Sequence, residues 1–440
     1  MIILCALVLI SSAIGASDVL TLDSCLSLAR KNHVELRKAQ MEVERAQLVK
    51  DQMLTKFFPQ VKATALGYHS LHPLVDVGID DIGNATVRDL LNTLYGNYGA
   101  ALGLENHLAL FQYGYHAGVT AIQPVFLGGK IIAANQLAKT GVEAAELQQQ
   151  MAERDILEQV EESYWLVVSL QDKRRTLLRT QALLDTLYHT VDAAVNAGLA
   201  LPTDRMQVEM RQDEVHALAL QLKNATRLAT QALCLAIDIP AVDSLMLDTV
   251  APISSLTNPQ LPENELLALQ LRAAQYQYRL TLSDALPQLA VGANYGYGRL
   301  STNVLRNDLG NPTGNGAVFV TLTVPLTQWW ETAYKLKADK IAIETAQLTQ
   351  YDTERKLQLR DQQTRDQLAE AQQLYDACAK TLRTTEENYR LMLVNYRAGT
   401  ATIAELLHAE TMLLQAQNRL TDARTALLLA QRKYQDLCSH

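Results

Sequence analysis

Hydrophobic positions recur along most of this chain at the spacing of helix turns. Residues 142–197 and 326–398 hold neither glycine nor proline. Within the first stretch, Ile156, Val160, Trp165 and Val167 lead into Leu177, Leu184, Leu187 and Val191, while Glu161, Glu162, Lys173, Arg174 and Arg175 fill the gaps. The pattern is amphipathic rather than apolar all round, so it predicts long helices packing side by side in water. At about 1.5 Å per residue, a helix of about 70 residues reaches roughly 100 Å, more than an ordinary globular core spans.

Four shorter stretches change period from 3.6 to 2. In residues 287–299, Leu289, Val291, Ala293, Tyr295 and Tyr297 alternate with small or polar residues, as a strand with one apolar face does. Val318, Val320, Leu322 and Val324 do the same in 316–325, as do Val61, Ala63 and Ala65 in 59–70, and Tyr113, Tyr115, Ala117, Val119 and Ala121 in 113–124. Strands of about ten residues suit a tilted membrane span. Phe57, Phe58, Trp329 and Trp330 stand at the strand–helix junctions, where aromatic rings settle at a membrane–water interface. An open four-stranded sheet leaves backbone groups unpaired in lipid, and a closed barrel needs at least about eight strands. Several chains must therefore contribute, and three would give twelve strands.

The elements come in two copies. The segment after Pro124 aligns with the segment after Pro325, and Gly198 aligns with Gly399 at the same separation of about 200 residues, which indicates an internal duplication. Residues 17–236 form the first repeat, with a leading helix over roughly 21–56, a long helix over 128–197 and a return helix over 204–236. Residues 263–440 form the second, with a leading helix to about 285, a long helix over 327–397 and a return helix over 402–437. A Pro-, Ser- and Asp-containing break, 237–262, joins them. The first copy is longer by about 27 residues between its prolines, and the excess, within 71–112, reads as a long loop rich in Gly, Asn and Asp. It lies at the far end of the first hairpin, which in barrel proteins faces the outside of the cell.

Composition removes several function classes. The formal charge is −8 and the pI near 5.7, so no basic footprint for nucleic acid exists. Residues 1–16 are a short apolar run ending in small residues, which reads as a signal peptide, and no later window is apolar enough for a membrane-spanning helix. Cys25, Cys234, Cys378 and Cys438 match no zinc spacing and read as small core residues. His69 and His72 have no third ligand in view. With no phosphate loop, nucleophile elbow or metal motif, neither enzyme activity nor a cofactor is expected.

The chain resembles the TolC-like outer membrane efflux proteins. The likeness rests on the duplication, the strand starts FPQV and LPQL, the QPVF…GGK segment, and the glycine turns NAGLALPTD and YRAGTATIAELL. It implies a homotrimer whose twelve-stranded β-barrel, four strands per chain, is continued by an antiparallel α-helical coiled-coil barrel. That makes the chain a mixed α and β membrane protein of a Gram-negative outer membrane with a large periplasmic part, its barrel seated in outer membrane lipid. The implied function is the exit duct of a tripartite efflux or type I secretion system, served by an inner-membrane transporter and a periplasmic adaptor (membrane fusion) protein. The 237–262 segment would join an equatorial belt. A periplasmic coiled-coil adaptor or structural protein without a membrane barrel would share the helices, but leaves the four symmetric strands unexplained.

By the same likeness the glycine turns form the periplasmic tip, and Gly198, Leu199, Gly399 and Thr400 face the adaptor. Asp204 and Tyr396 fall where the family has an acid and a tyrosine that latch the tip shut. Ala401 stands where the family has an arginine, and Arg205 and Arg397 are the nearby replacements. Glu405 and His408, three apart on one helix face, match two positions that form acidic rings in cation-selective relatives. In a trimer, Glu405 would then draw cations into the pore, and protonation of His408 would oppose it.

Overall fold

The computed structural model describes residues 20–72, 75–102, 106–243, 245–248, 262–302 and 313–438. The expected signal peptide and most of the 300–316 turn lie outside these. The helices are α1 (Leu22–Asn32), α2 (Val34–Leu54), α3 (Ala85–Leu102), α4 (Lys130–Asn196), α5 (Pro202–Ala236), α6 (Pro262–Ser283), α7 (Gln328–Arg397) and α8 (Ile403–Cys438). The strands are β1 (Gln60–His69), β2 (Val75–Gly78), β3 (His107–Leu127), β4 (Gln288–Thr302) and β5 (Thr313–Thr323). Contacts divide the chain into two units. One draws on Met1–Glu44, Ala144–Ala268 and Leu348–His440, the other on Arg45–Glu143 and Leu269–Gln347.

The second unit is built on an antiparallel sheet ordered β1-β3-β4-β5, with β2 paired to the start of β3. Register puts Val61, Ala63, Ala65, Ala117, Val119, Ala293, Tyr295, Val318 and Val320 on one face. That face is bare in the single chain: Val318 is 79% exposed, Val320 66% and Val61 64%. Opposite lie Lys62, Thr64, His116, Thr120, Asn294 and Asn315, interspersed with glycines. Two rings rest on those glycines. A methyl group on Gly296 would meet His116 Nε2 at 2.6 Å, and one on Gly292 would meet Phe319 Cζ at 2.3 Å. At the sheet–helix junction Lys130 Nζ binds Asp284 Oδ1 at 2.6 Å.

The structure departs from the sequence reading at three places in these elements. The 71–112 stretch, expected to be loop, contains β2 and the helix α3. Asn84 starts that helix as an N-cap, its Oδ1 accepting the amides of Thr86 at 3.1 Å and Val87 at 3.3 Å, so the residue that signals a turn here opens a helix. β3 does not stop at Pro124 but runs on to Leu127, because a register shift between Pro124 and Phe126 accommodates the missing amide. The leading helix of the first repeat is two helices, parted at His33, whose amide closes α1 on Ala29 O at 2.9 Å and whose Nδ1 accepts the amide of Glu35 at 3.2 Å.

In the first unit, all eight residues of the α4 stripe are buried. Ile156, Val160, Trp165 and Val167 pack with Leu22, Cys25, Leu26 and Ala29 of α1 and with Leu233 at the end of α5. The Tyr164 hydroxyl donates to Leu20 O at 3.2 Å and Asp248 O at 2.8 Å, tying in both the residue before α1 and the described part of the 237–262 connection. Leu177, Leu184, Leu187 and Val191 pack with Val208 and Val215 of α5 and with Ile403, Leu406, Leu407 and Leu414 of α8, against which Tyr389, Met392 and Tyr396 of α7 lie. Two antiparallel hairpins, α4–α5 and α7–α8, thus share one four-helix core. Cys25 and Cys234 are free thiols inside the unit.

Candidate functional site

Both hairpins turn through the same backbone device. Gly198 and Gly399 each have φ +72°, the left-handed conformation that glycine adopts without a Cβ penalty. The Gly198 amide donates to Val195 O at 3.0 Å and that of Leu199 to Ala194 O at 2.8 Å; the Gly399 amide donates to Tyr396 O at 3.0 Å and that of Thr400 to Asn395 O at 2.9 Å. These paired bonds form a Schellman motif, which satisfies the last carbonyls of α4 and α7. Gly198, Leu199, Gly399 and Thr400 are all exposed, Leu199 at 84%.

The carboxylate that follows each glycine starts the return helix. Glu405 Oε2 accepts the Thr402 amide at 2.8 Å and its hydroxyl at 3.0 Å, while Thr402 Oγ1 accepts the Glu405 amide at 3.3 Å. This reciprocal capping box holds the Glu405 carboxyl below the usual carboxylate range, the Thr402 amide bond contributing most. In the first hairpin Asp204 Oδ2 accepts the Leu201 amide at 3.1 Å. Leucine has no oxygen to return the bond, and Pro202 at the first helical position stands in its place. The T-x-x-E spacing at Thr402 and Glu405 was visible in the sequence, and it accounts for the position of the acid without reference to a pore.

The structure brings Asp204 and Tyr396 near each other. Burial pushes the Tyr396 phenol up from its ordinary value, and the Asp204 carboxylate adds to the shift, though no hydrogen bond joins them. Arg205 is bound within its own hairpin: its Nη1 binds Asp192 Oδ1 at 3.2 Å and its Nε lies 3.7 Å from Glu209 Oε1. The Tyr188 hydroxyl donates to the same Glu209 oxygen at 3.3 Å, so Arg205 braces α5 against α4 within one hairpin. Arg397, at the end of α7, is exposed. Glu405 and His408 are exposed on α8 one turn apart. Sequence reasoning did not single out Arg211 and Glu410, an ion pair at 2.9 Å that joins α5 to α8, with Glu410 buried and Arg211 partly so.

Among the described residues no group of His, Cys, Asp and Glu is placed to hold a metal ion, and no helix is long and apolar enough to cross a membrane. The sequence profile of the outer membrane efflux proteins matches residues 25–237 and 258–436. The chain belongs to that family. No curated protein matches the sequence, but solved structures share the fold of this efflux protein. The Campylobacter jejuni CmeC outer membrane channel is similar with a TM-score of 0.76 at 15% identity, over 95% of this chain and 84% of that one. The outer membrane protein VceC of Vibrio cholerae gives 0.74 at 16%, over 94% and 96%. The open state of the Neisseria gonorrhoeae MtrE outer membrane channel gives 0.74 at 16%, over 95% and 88%. This efflux protein has their mainly helical architecture with a small antiparallel sheet, and its family places it as an exit duct of the outer membrane.

Proposed function

We propose that three copies of this chain assemble into a channel through which an efflux or type I secretion system discharges across the outer membrane of a Gram-negative bacterium. The observation that carries this reading is the sheet. One face is apolar and exposed, the other is polar and small, and among the described strands β1 and β5 each have a single neighbour. In lipid such edges must be paired, and joining β5 of one copy to β1 of the next through three copies closes a twelve-stranded barrel.

Two helices support the same assembly. Val34, Met41 and Leu48 of α2 recur at heptad spacing and are 54%, 65% and 64% exposed; Tyr334, Ile341 and Leu348 of α7 repeat the spacing at 74%, 63% and 68%. Such seams are occupied by neighbouring helices in coiled coils, here those of adjacent copies. In this reading the hairpin turns are the periplasmic tip. Gly198, Leu199, Gly399 and Thr400 meet a periplasmic adaptor, and an inner-membrane transporter supplies the energy. Asp204 and Tyr396 close the tip, while Glu405 and His408 face the opening. Mass measurement of the full chain extracted from outer membranes in mild detergent should give three copies. A membrane-inserted monomer would refute the assembly.

A further inference from the structure

β1, β3, β4 and β5 contain neither Asp nor Glu, in a chain that holds 47 such residues. On the apolar face lipid accounts for that, since charges on a lipid-facing wall are destabilising. The polar face has no such reason. Its charged side chain is Lys62, paired with Thr120 across the sheet, and Asn294 follows in the same row. Four residues along β3 from Thr120, about 13 Å away, His116 lies across Gly296 and Gly298. Lys62 and His116 are exposed, and among the described residues neither has a hydrogen-bond or ion-pair partner. The arginine of these strands, Arg299, pairs with Tyr115 on the apolar side, where Asp76 of β2 pairs with Ala109. A solitary lysine on an edge strand can ward off stray pairing. The proposed barrel instead needs the β1 edge paired, and whatever register β5 of the next copy takes, it brings Lys62 no carboxylate.

We infer that the polar face is an anion-attracting lining, and that the solutes discharged along it carry carboxylate, sulfonate or phosphate groups. The inference rests on the channel reading, which turns this face inward and sets three copies of Lys62 and of His116 around one bore. A wall of one sign concentrates solutes of the other. The row beside Lys62 suits oxyanions as well. Asn294 Oδ1 accepts the Ala317 amide at 3.0 Å, which leaves the Asn294 amide nitrogen to donate, and the Thr120 hydroxyl donates between it and the lysine.

Glu405 at the turns has the opposite sign, so the test reads the sheet locally. Trimers of the full chain carrying Thr64→Cys are treated with a sulfonate-bearing methanethiosulfonate or its trimethylammonium counterpart, and labelling is timed by mass spectrometry on the peptide that holds residue 64. Thr64 is exposed on the polar face, two residues or about 7 Å from Lys62. Relative to a free thiol, the ratio of the two rates should favour the anion. At about 0.1 M salt Lys62→Gln should lower that ratio about three-fold and Lys62→Glu about seven-fold, and at about 1 M salt the differences should vanish. In single trimers in a planar bilayer, Lys62→Glu should shift the reversal potential in a low-salt gradient toward cations. A rate ratio that Lys62→Glu leaves unmoved overturns the lining. A ratio that moves without a shift in reversal potential overturns the choice of solute, and either result leaves the channel standing. If Thr64→Cys does not assemble, Thr120→Cys, opposite Lys62, takes its place. A parent that is not trimeric, or does not conduct, overturns the channel reading and this inference with it.

Discussion

Replacing Gly198 or Gly399 with alanine isolates the cost of one backbone conformation. A Cβ added at either position meets no atom within 4 Å, so sterics with neighbours contribute nothing. What remains is the left-handed backbone at φ +72°, which costs an L-residue about 1–2 kcal/mol. The loss is offset by about 0.4–1 kcal/mol, because alanine restricts the unfolded chain. The net local destabilisation at each turn is therefore about 0.8 kcal/mol, the middle of a span from near 0 to about 1.6 kcal/mol. Gly128 supplies the contrast. Its φ is +62°, and a Cβ there would meet Leu286 Cβ at 2.8 Å and Ser283 O at 2.9 Å, so overpacking adds about 1–3 kcal/mol. Hydrogen exchange read by mass spectrometry on the purified protein measures each opening. With Gly198→Ala the Leu199 amide should exchange about two- to five-fold faster, and with Gly399→Ala the Thr400 amide likewise. Asparagine, which tolerates this conformation, should cost less than alanine at both turns. Gly128→Ala should destabilise its surroundings more than either. If Gly198→Ala and Gly399→Ala leave exchange unchanged, or exceed Gly128→Ala, the reasoning from backbone conformation fails.

Two further outcomes follow from titrating groups. The Glu405 carboxyl is held below its unfolded value, so its support for the start of α8 is complete above about pH 4.3 and lost as pH falls through its folded value. Protection of the Thr402 amide, corrected for intrinsic exchange, should drop in that acid range in the parent and stay flat in Glu405→Gln. Burial, reinforced by the neighbouring Cys234 thiol, pushes the Cys25 thiol up to about 12. At pH 8 it should therefore resist an alkylating reagent until the protein is denatured, and rapid labelling of the folded protein would contradict its placement in the core.

Much of the architecture could be read from local patterns, because its elements are long and their periods unmixed. The α4 stripe from Ile156 to Val191 needed only helical spacing to be recognised, and the alternation from Leu289 to Tyr297 needed only a period of two. What escaped depended on contacts between distant residues or on one polar atom's choice of partner. Asn84 is equally suited to a loop and to an N-cap, and only the 18 residues after it, about five turns broken by Gly96 and Gly99, decide for helix. Pro124 reads as a strand end unless the partner strand absorbs a register shift. At the turns, glycine spacing identified Gly198 and Gly399, but Glu405 was read by its charge, whereas its hydrogen bonds are to Thr402. Arg205 lies next to Asp204 in sequence yet turns to Asp192. Arg211 and Glu410, about 200 residues apart, meet only because α5 packs on α8, which no local pattern reports.

The rings lying on bare glycine in the sheet bear on how this wall can change over time. His116 covers Gly296 and Phe319 covers Gly292 so closely that no methyl group fits beneath either, and each ring spreads along the wall instead of standing off it. A lone glycine-to-alanine change must lift the ring, while a lone change of the ring to a small side chain uncovers backbone. Drift at these positions is therefore expected to come in pairs, one partner growing as the other shrinks. In the barrel proposed above, where this face would line the bore, the bore could then be widened or narrowed by exchanging such pairs, with the hydrogen-bonded ladder between β3, β4 and β5 left as it is.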